Sequence, residues 1–427
     1  MNTATAPAPP RLAIDRWLLS NGIPVLVHEN PTHPLVNLRC LVAGGSTEDT
    51  PDQAGLASFT GSALSRGTER YTFEQLNETI DSAGMSLHTH AGRDQATISA
   101  RCLSEDLPLA LDLVSEVLCR PTFPPDEVTK LQHQILTRIR QAQHNTRAVV
   151  GRLFREAAYP VGHPYRLAPN GEEESVSALT RDDLAACHRT RYGPQRTCII
   201  VSGDVRSAEL RDLLAARLAT WCPQVAPSPE IPDAPDPAPT TSEREVPGKT
   251  QSDLIFGTLA MRRSHLEWET LRQATIIFGQ LGLSGRLGAT VRDEQGLAYG
   301  VHATLDAATT RTAWTVRAGV NPANVERALT SIRSELAKLR DTGVTADELA
   351  GVQRYLIGSM ALQLETNAGI TSLMQQIEQF DLGLDYVERR PALVQAVTRD
   401  AILDTVRRHL PASDAITAIA GPTRPSG

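Results

Sequence analysis

The alternation of apolar and polar residues predicts short strands in both halves of the chain. ATISARC (residues 96–102) and AWTVRAG (residues 313–319) alternate with period two, as half-buried antiparallel strands do. GIPVLVHEN and LVNLRCLVAGG, which begin at Gly22 and Leu35, predict two further strands near the start of the chain.

Helix signals lie between these strands in the same order twice. Thr72 and Gln75 form a capping-box pattern, and Asn321 followed by Pro322 is typical of a helix start. Residues 72–118 and 286–336 both follow the order helix, turn, two strands, helix. The pattern therefore predicts an α+β fold with two structurally similar halves, each an antiparallel sheet covered by helices.

A proline-rich segment separates the two halves. Seven prolines occur between Pro223 and Pro239, and this density disfavours a helix and favours an extended connector. We expect an N-terminal domain at residues 1–222, a linker at residues 223–245 and a C-terminal domain at residues 246–427.

Composition narrows the function classes. The 427 residues are 41% hydrophobic and carry a formal net charge of −7, which disfavours nucleic acid as a partner. No run of about 18 apolar residues predicts a membrane span. The N-terminus resembles no signal peptide, and the six cysteines are scattered, so we expect a cytoplasmic protein without disulfides.

The stretch GLASFTGSALSRGT, residues 55–68, has the spacing of a metal-binding helix without the ligands. Ser58 and Ser62 lie four residues apart and share one face of a helix, as two histidines bound to one zinc ion do. Gly61 lies between them, where a catalytic carboxylate would be needed. The alternatives are a small-residue packing face or a catalytic helix that has lost its chemistry.

Three blocks in order resemble the pitrilysin/insulinase-like zinc peptidases. They span residues 43–94, 163–205 and 281–303. The resemblance is to the short two-domain form, which includes mitochondrial processing peptidase subunits and bacterial heterodimers. It implies that the two domains form half of a clamshell.

In that family an H-x-x-E-H motif and a later glutamate supply the zinc ligands and the base. The resemblance places the two histidine positions at Ser58 and Ser62, the base at Gly61 and the later glutamate at Arg138. Hydroxyls are poor zinc ligands. A guanidinium about 4 Å from a divalent cation would repel it by roughly 8 kcal/mol at an effective dielectric constant of about 20. We therefore expect that this chain binds no metal or other cofactor, and that any zinc is bound by a partner.

Two other sites are disfavoured by the sequence. His88 and His90 share one face of a predicted strand, with His133 and His144 downstream, but no acidic cluster accompanies them. The glycines of GQLGLSGRLG are not followed by G-K-S/T, which disfavours a phosphate-binding loop.

The second-half motif RDEQGLAY is intact. The resemblance implies that Arg292 and Tyr299 contact the substrate carbonyl, where they could stabilise developing negative charge. Without it, the same residues fit a surface arginine and a core tyrosine.

The resemblance therefore implies a non-catalytic subunit of a heterodimeric zinc endopeptidase. Its Arg292 and Tyr299 would act on a peptide substrate in trans to a similar-sized H-x-x-E-H partner. Processing of the pyrroloquinoline quinone precursor is one such context. The alternative is a structural or peptide-binding pseudo-peptidase, like the core subunits of the respiratory bc1 complex.

Overall fold

The computed structural model describes residues 11–280 and 285–422, which form two compact units. The first unit comprises the described residues up to Ile139, together with Leu167–Glu230 and Ala361–Glu388. The second comprises Arg140–Arg166, Ile231–Met360 and the described residues from Arg389 onward. Each unit is built around one sheet.

The sheet of the first unit has six strands in the order β1-β2-β6-β3-β5-β4. They are β1 (Asp15–Leu18), β2 (Pro24–Glu29), β3 (Leu35–Ala43), β4 (Ser86–Ala91), β5 (Gln95–Leu103) and β6 (Thr197–Gly203). Strands β2 and β6 pair in parallel, and the other neighbours are antiparallel.

The sheet of the second unit repeats this arrangement with five strands in the order β7-β11-β8-β10-β9. They are β7 (Thr241–Glu245), β8 (Ser252–Leu259), β9 (Ala298–Leu305), β10 (Ala313–Val320) and β11 (Ile416–Gly421). The parallel pair is β7 and β11, equivalent to β2 and β6. The predicted duplication is confirmed. Each sheet is mixed, however, because its last strand returns after a series of helices and pairs in parallel with an earlier strand, which is β2 in the first sheet and β7 in the second.

The described residues include fourteen α-helices. They are α1 (Leu56–Ala63), α2 (Phe73–Ser82), α3 (Leu107–Cys119), α4 (Pro125–Gln143), α5 (Thr146–Ala158), α6 (Glu173–Ala178), α7 (Arg181–Arg191), α8 (Ser207–Leu218), α9 (Trp268–Thr275), α10 (Val325–Thr342), α11 (Ala346–Gln363), α12 (Asn367–Gln379), α13 (Tyr386–Gln395) and α14 (Arg399–His409). Two segments, Ile276–Gln280 and Gly288–Glu294, are π-helical. The predicted capping box of Thr72 and Gln75 and the predicted cap at Asn321 are both present.

One helix from each half of the sequence covers the sheet formed mainly by the other half. Helix α5 lies against β7, β8 and β11, where Val150 and Phe154 pack with Ile255. Helix α12 lies against β3 and β6, where the Asn367 side-chain amide donates to the Leu35 carbonyl oxygen over 3.1 Å.

This exchange changes the predicted domain boundaries of 1–222 and 246–427. Residues 140–166 belong with the second sheet, and residues 361–388 belong with the first. The predicted linker at 223–245 has no regular secondary structure over its proline-rich part, but its last five residues form β7. Amphipathic periodicity shows that a helix has an apolar face, but it does not show which sheet that face covers.

The exchange predicts that a core substitution in α5 destabilises the second unit. Phe154→Ala should lower the free energy of unfolding by about 3–5 kcal/mol, because the ring is 4% exposed and its loss leaves a cavity. Denaturant unfolding measures the total effect, and hydrogen exchange should show the greater loss of protection in β8 and β11.

Glu156→Ala, on the exposed side of α5, is the matched control and should change stability by less than about 0.5 kcal/mol. Greater loss of protection in β3 and β6 than in β8 and β11 would contradict the assignment of α5 to the second sheet.

Candidate functional site

Helix α1 carries Ser58, Gly61 and Ser62, the three positions that the resemblance aligns with the metal motif, and its N-terminus is fixed by a buried ion pair. It begins after Gly55, whose φ of +96° favours glycine. The backbone N–H groups of Gly55 and Ala57 donate to the Asp49 carboxylate, each over 3.2 Å. Arg191 of α7 donates to the same carboxylate over 2.8 Å. Burial raises the pKa of Asp49, and the bond from Arg191 opposes this effect.

The motif positions in α1 are used for packing. The Ser58 hydroxyl is half-buried and donates to the Asn170 side-chain oxygen over 3.0 Å. Gly61 lies directly against β4, and a Cβ atom there would come within 2.5 Å of the Ala91 backbone nitrogen. Ser62 is half-buried in the next position. The position of the family's base therefore has no room for a side chain unless the helix moves away from β4.

Arg138 lies on α4 and is exposed. Arg66, just after α1, contacts α4 through Glu127 at 3.6 Å and Gln134 at 3.4 Å. Arg138 lies one turn beyond Gln134. The Nε of Arg138 donates a hydrogen bond to the Gln134 backbone carbonyl oxygen over 3.4 Å. Two hydroxyls, a glycine and a guanidinium do not fit a zinc ion or its catalytic base.

The four histidines considered as an alternative metal site form no metal-binding cluster among the described residues. His88, His90, His133 and His144 are all exposed. In the described part of the chain, the one group of three side chains close enough to share a metal is His265, Glu267 and His409. Glu267 already accepts bonds from His409, over 2.7 Å, and from Arg408. This group is therefore satisfied as an internal ion-pair cluster.

The close approach at Gly61 predicts an unusual response to substitution. Gly61→Ala should lower the free energy of unfolding by about 1–3 kcal/mol, because the added methyl group meets the backbone of β4. Denaturant unfolding measures the change.

Gly151→Ala is the matched control, because a Cβ atom at this position in α5 meets nothing within 4 Å. It should stabilise the protein by about 0.5–1 kcal/mol, the ordinary helix preference for alanine over glycine. Stabilisation by both substitutions would contradict the packing of α1 on β4.

Arg292 and Tyr299 lie on either side of a glycine turn in the second unit. Arg292 belongs to the π-helical segment Gly288–Glu294, and π-helical turns are frequent at functional sites. Gly296, with a φ of +60°, donates its N–H to the Arg292 carbonyl oxygen over 3.0 Å. Both side chains are exposed, and neither makes a hydrogen bond or ion pair with a described residue.

A β-bulge sets the direction of the Tyr299 side chain. Along β9, Ala298 is opposite Val320 and Gly300 is opposite Gly319, so Tyr299 is an extra residue without a partner in β10. A bulge shifts the alternation of side chains between the two faces of a strand. Tyr299 is consequently 69% exposed, whereas Ala298 and Val301 are buried.

Tyr299 borders a cavity of about 390 Å³ on one face of the second sheet. The cavity is also lined by polar groups from three strands and one helix, namely Asp253 of β8, His302 of β9, Arg317 of β10 and Arg147 of α5. In the sheet, Arg317 pairs with His302 of β9 on one side and with Ile255 of β8 on the other. Helix α5 lies against β7, β8 and β11, and on this face His302 of β9 is exposed and Arg317 of β10 is half-buried.

The charges in this cavity are unevenly balanced. Asp253 is buried and accepts bonds from Thr146 and from Gln251, the latter over 3.1 Å, while Arg147 lies 3.6 Å away. Arg317 is half-buried and has no hydrogen bond or ion pair with a described residue. Partial burial, followed by the nearby charges of Arg317 and Arg147, lowers the pKa of His302, which favours the neutral imidazole.

This cavity was not predicted from the sequence. Arg317 is the charged residue in the alternating stretch AWTVRAG, and that was a usable signal. Arg147 and Asp253 lie 106 positions apart in the sequence and meet only because α5 packs on the second sheet.

Two family models match the chain in succession. The model described as "Insulinase (Peptidase family M16)" matches residues 24–165, and that described as "Peptidase M16 inactive domain" matches residues 178–356. The chain belongs to the M16 family. The predicted resemblance to pitrilysin/insulinase-like peptidases of the short two-domain form is thereby confirmed.

Curated relatives are similar to the chain over most of their length. A protein named an uncharacterized zinc protease from Mycobacterium leprae is 28% identical over 82% of this chain and 79% of its own length. Another so named, from Mycobacterium tuberculosis, is 26% identical over 98% of this chain and 95% of its own length.

Solved structures share the fold. A peptidase M16 inactive domain from Pseudomonas fluorescens has a TM-score of 0.92 at 25% identity, covering 97% of this chain and 99% of its own. A protease from Helicobacter pylori has a TM-score of 0.90 at 17% identity, covering 96% of this chain and 100% of its own, which shows the fold alone.

Among the described residues of this M16 chain, no helix has both the length and the apolar character needed to cross a membrane.

Proposed function

We propose that this M16 chain is the non-catalytic subunit of a heterodimeric zinc endopeptidase. Its partner, a chain of similar size with H-x-x-E-H, supplies the zinc ion and the base. This chain supplies Arg292 and Tyr299, which donate hydrogen bonds to the carbonyl oxygen of the peptide bond being cleaved. Such donors accelerate hydrolysis because negative charge develops on that oxygen in the transition state.

The direction of Tyr299 is the observation that carries the proposal. A tyrosine at this point of a regular strand would lie with the buried Val301, but the bulge leaves it exposed and without a hydrogen-bond partner among the described residues. A purely structural role gives no reason to expose this ring beside a polar cavity. Bulges and π-helical turns often position functional side chains, and Arg292 and Tyr299 have one each.

The substrate that we propose is a peptide precursor, and the pyrroloquinoline quinone precursor is the candidate that the resemblance suggests. A neighbouring gene for an H-x-x-E-H chain would identify the partner. The competing function is a structural role without hydrolysis. A chain of complex III2 from Candida albicans has a TM-score of 0.80 at 15% identity, covering 96% of both chains, but this likeness concerns the fold alone.

Tyr299→Phe should lower the turnover of the reconstituted heterodimer by about 10²- to 10³-fold, the usual effect of losing one donor to the oxyanion. The substitution removes one exposed hydroxyl that bonds to no described residue, so folding and assembly should be unchanged. The measurement compares kcat and KM for a quenched fluorescent peptide at equal zinc content.

Tyr355→Phe on α11 is the matched control, because this ring is 51% exposed and lies outside the cavity. Wild-type kcat and KM for the Tyr299→Phe heterodimer would leave the chain with a structural role only.

A further inference from the structure

We infer that the cavity beside Tyr299 binds a carboxylate of the peptide substrate, with Arg317 as its principal ligand. The inference rests on the proposed function, since it assigns the anion to the peptide that Tyr299 contacts. The inference also assigns a substrate preference, namely for a peptide with an acidic group close to the bond that is cleaved.

The unpaired charge of Arg317 is the first argument. Its strand, β10, lies between β8 and β9, so Arg317 projects from an interior strand of the sheet and not from an edge strand. Its side chain is half-buried. Most buried or half-buried charges have a partner, because removing a charge from water is costly. Arg317 has none in the described residues, and a bound carboxylate would provide one.

The state of the other charges supports an anion as the ligand. The two carboxylate oxygens of Asp253 are occupied by Thr146, Gln251 and Arg147, so its charge is already compensated. The lowered pKa of His302, due to burial and then to Arg317 and Arg147, is consistent with a positive potential in the cavity. The surplus charge at neutral pH is therefore that of Arg317.

The size and shape of the cavity suit a side chain of an extended peptide. A volume of about 390 Å³ accommodates an aspartate or glutamate side chain and some water. Gly300 lines the cavity, and because a Cβ atom there would meet nothing within 4 Å, the backbone of β9 is accessible at this point. A planar guanidinium binds a carboxylate through two parallel hydrogen bonds, which gives selectivity over a neutral amide.

The test measures binding by the isolated chain, so it needs neither a partner nor turnover. Three fluorescein-labelled ten-residue peptides of alternating serine and alanine serve as probes. The first peptide has a central glutamate and an amidated C-terminus, so its carboxylate is on a side chain. The second has a central glutamine and an amidated C-terminus, and is the neutral control. The third has a central glutamine and a free C-terminal carboxylate. Fluorescence anisotropy at low ionic strength should show about tenfold tighter binding of one carboxylate peptide than of the neutral peptide. Which of the two binds distinguishes a side-chain carboxylate from a C-terminal one.

Arg317→Gln should reduce this selectivity to about one, and Arg317→Lys should leave part of it, because the charge remains but the paired geometry is lost. Arg327→Gln, an exposed arginine on α10, should keep full selectivity. Unfolding curves of all variants show whether the sheet is intact.

Equal binding of the three peptides by the wild-type chain, binding of none, or full selectivity in a folded Arg317→Gln chain would overturn the inference. Loss of selectivity in the Arg327→Gln chain as well would also overturn it, because the effect would then be one of overall charge. If selectivity is absent but Tyr299→Phe still lowers heterodimer turnover, the proposed function stands and the carboxylate site alone is wrong. If selectivity is present but Tyr299→Phe has no effect, the proposed catalytic function fails.

Discussion

Each of the two sheets has two faces, and apolar residues on both must be removed from water. Helices of the same half of the sequence cover one face, and a helix from the other half covers part of the opposite face. In the second unit this helix is α5, whose Val149, Val150 and Phe154 are at most 4% exposed. Burying a side chain of this kind contributes about 1.5–3 kcal/mol, so α5 is fixed firmly on the sheet. The cavity beside Tyr299 lies where α5, which covers β7, β8 and β11, leaves His302 of β9 and Arg317 of β10 partly accessible.

The two regions that the family resemblance singles out, helix α1 and the surroundings of Tyr299, differ in how their side chains are packed. In α1, a glycine in contact with β4 and two serines occupy the positions of the base and the ligands, and the ion pair of Asp49 and Arg191 holds the helix in place. These features serve packing. Around Tyr299, by contrast, the chain keeps a bulge and an exposed ring, which packing alone does not require. The contrast between a packed helix and an exposed tyrosine is the structural basis of the division of labour that we propose between two subunits.

The features that the sequence predicted correctly depend on neighbouring residues. The strands around Ile98 and Val316, the capping box at Thr72 and the cap at Asn321 follow from local alternation and from hydrogen bonds within a few positions. The duplication followed from the repeated order of these elements.

The missed features depend on residues far apart in the sequence. The exchange of α5 and α12, the parallel strand in each sheet and the meeting of Arg147 with Asp253 are set by tertiary packing. The bulge at Tyr299 is a single extra residue, which leaves no clear trace in a short alternating strand. The motif drew attention to Arg292 and Tyr299, but it did not predict the cavity beside Tyr299.

The central claim is that this chain completes the active site of another subunit, and a titration tests it directly. The purified H-x-x-E-H partner is held at a fixed concentration, and this chain is added while the cleavage of a peptide substrate is followed. The account predicts that neither chain alone cleaves the peptide, and that this chain carries no stoichiometric zinc. The rate should rise linearly to one equivalent and then remain constant. A partner that is fully active alone, or a rate that does not respond to this chain, would contradict the account.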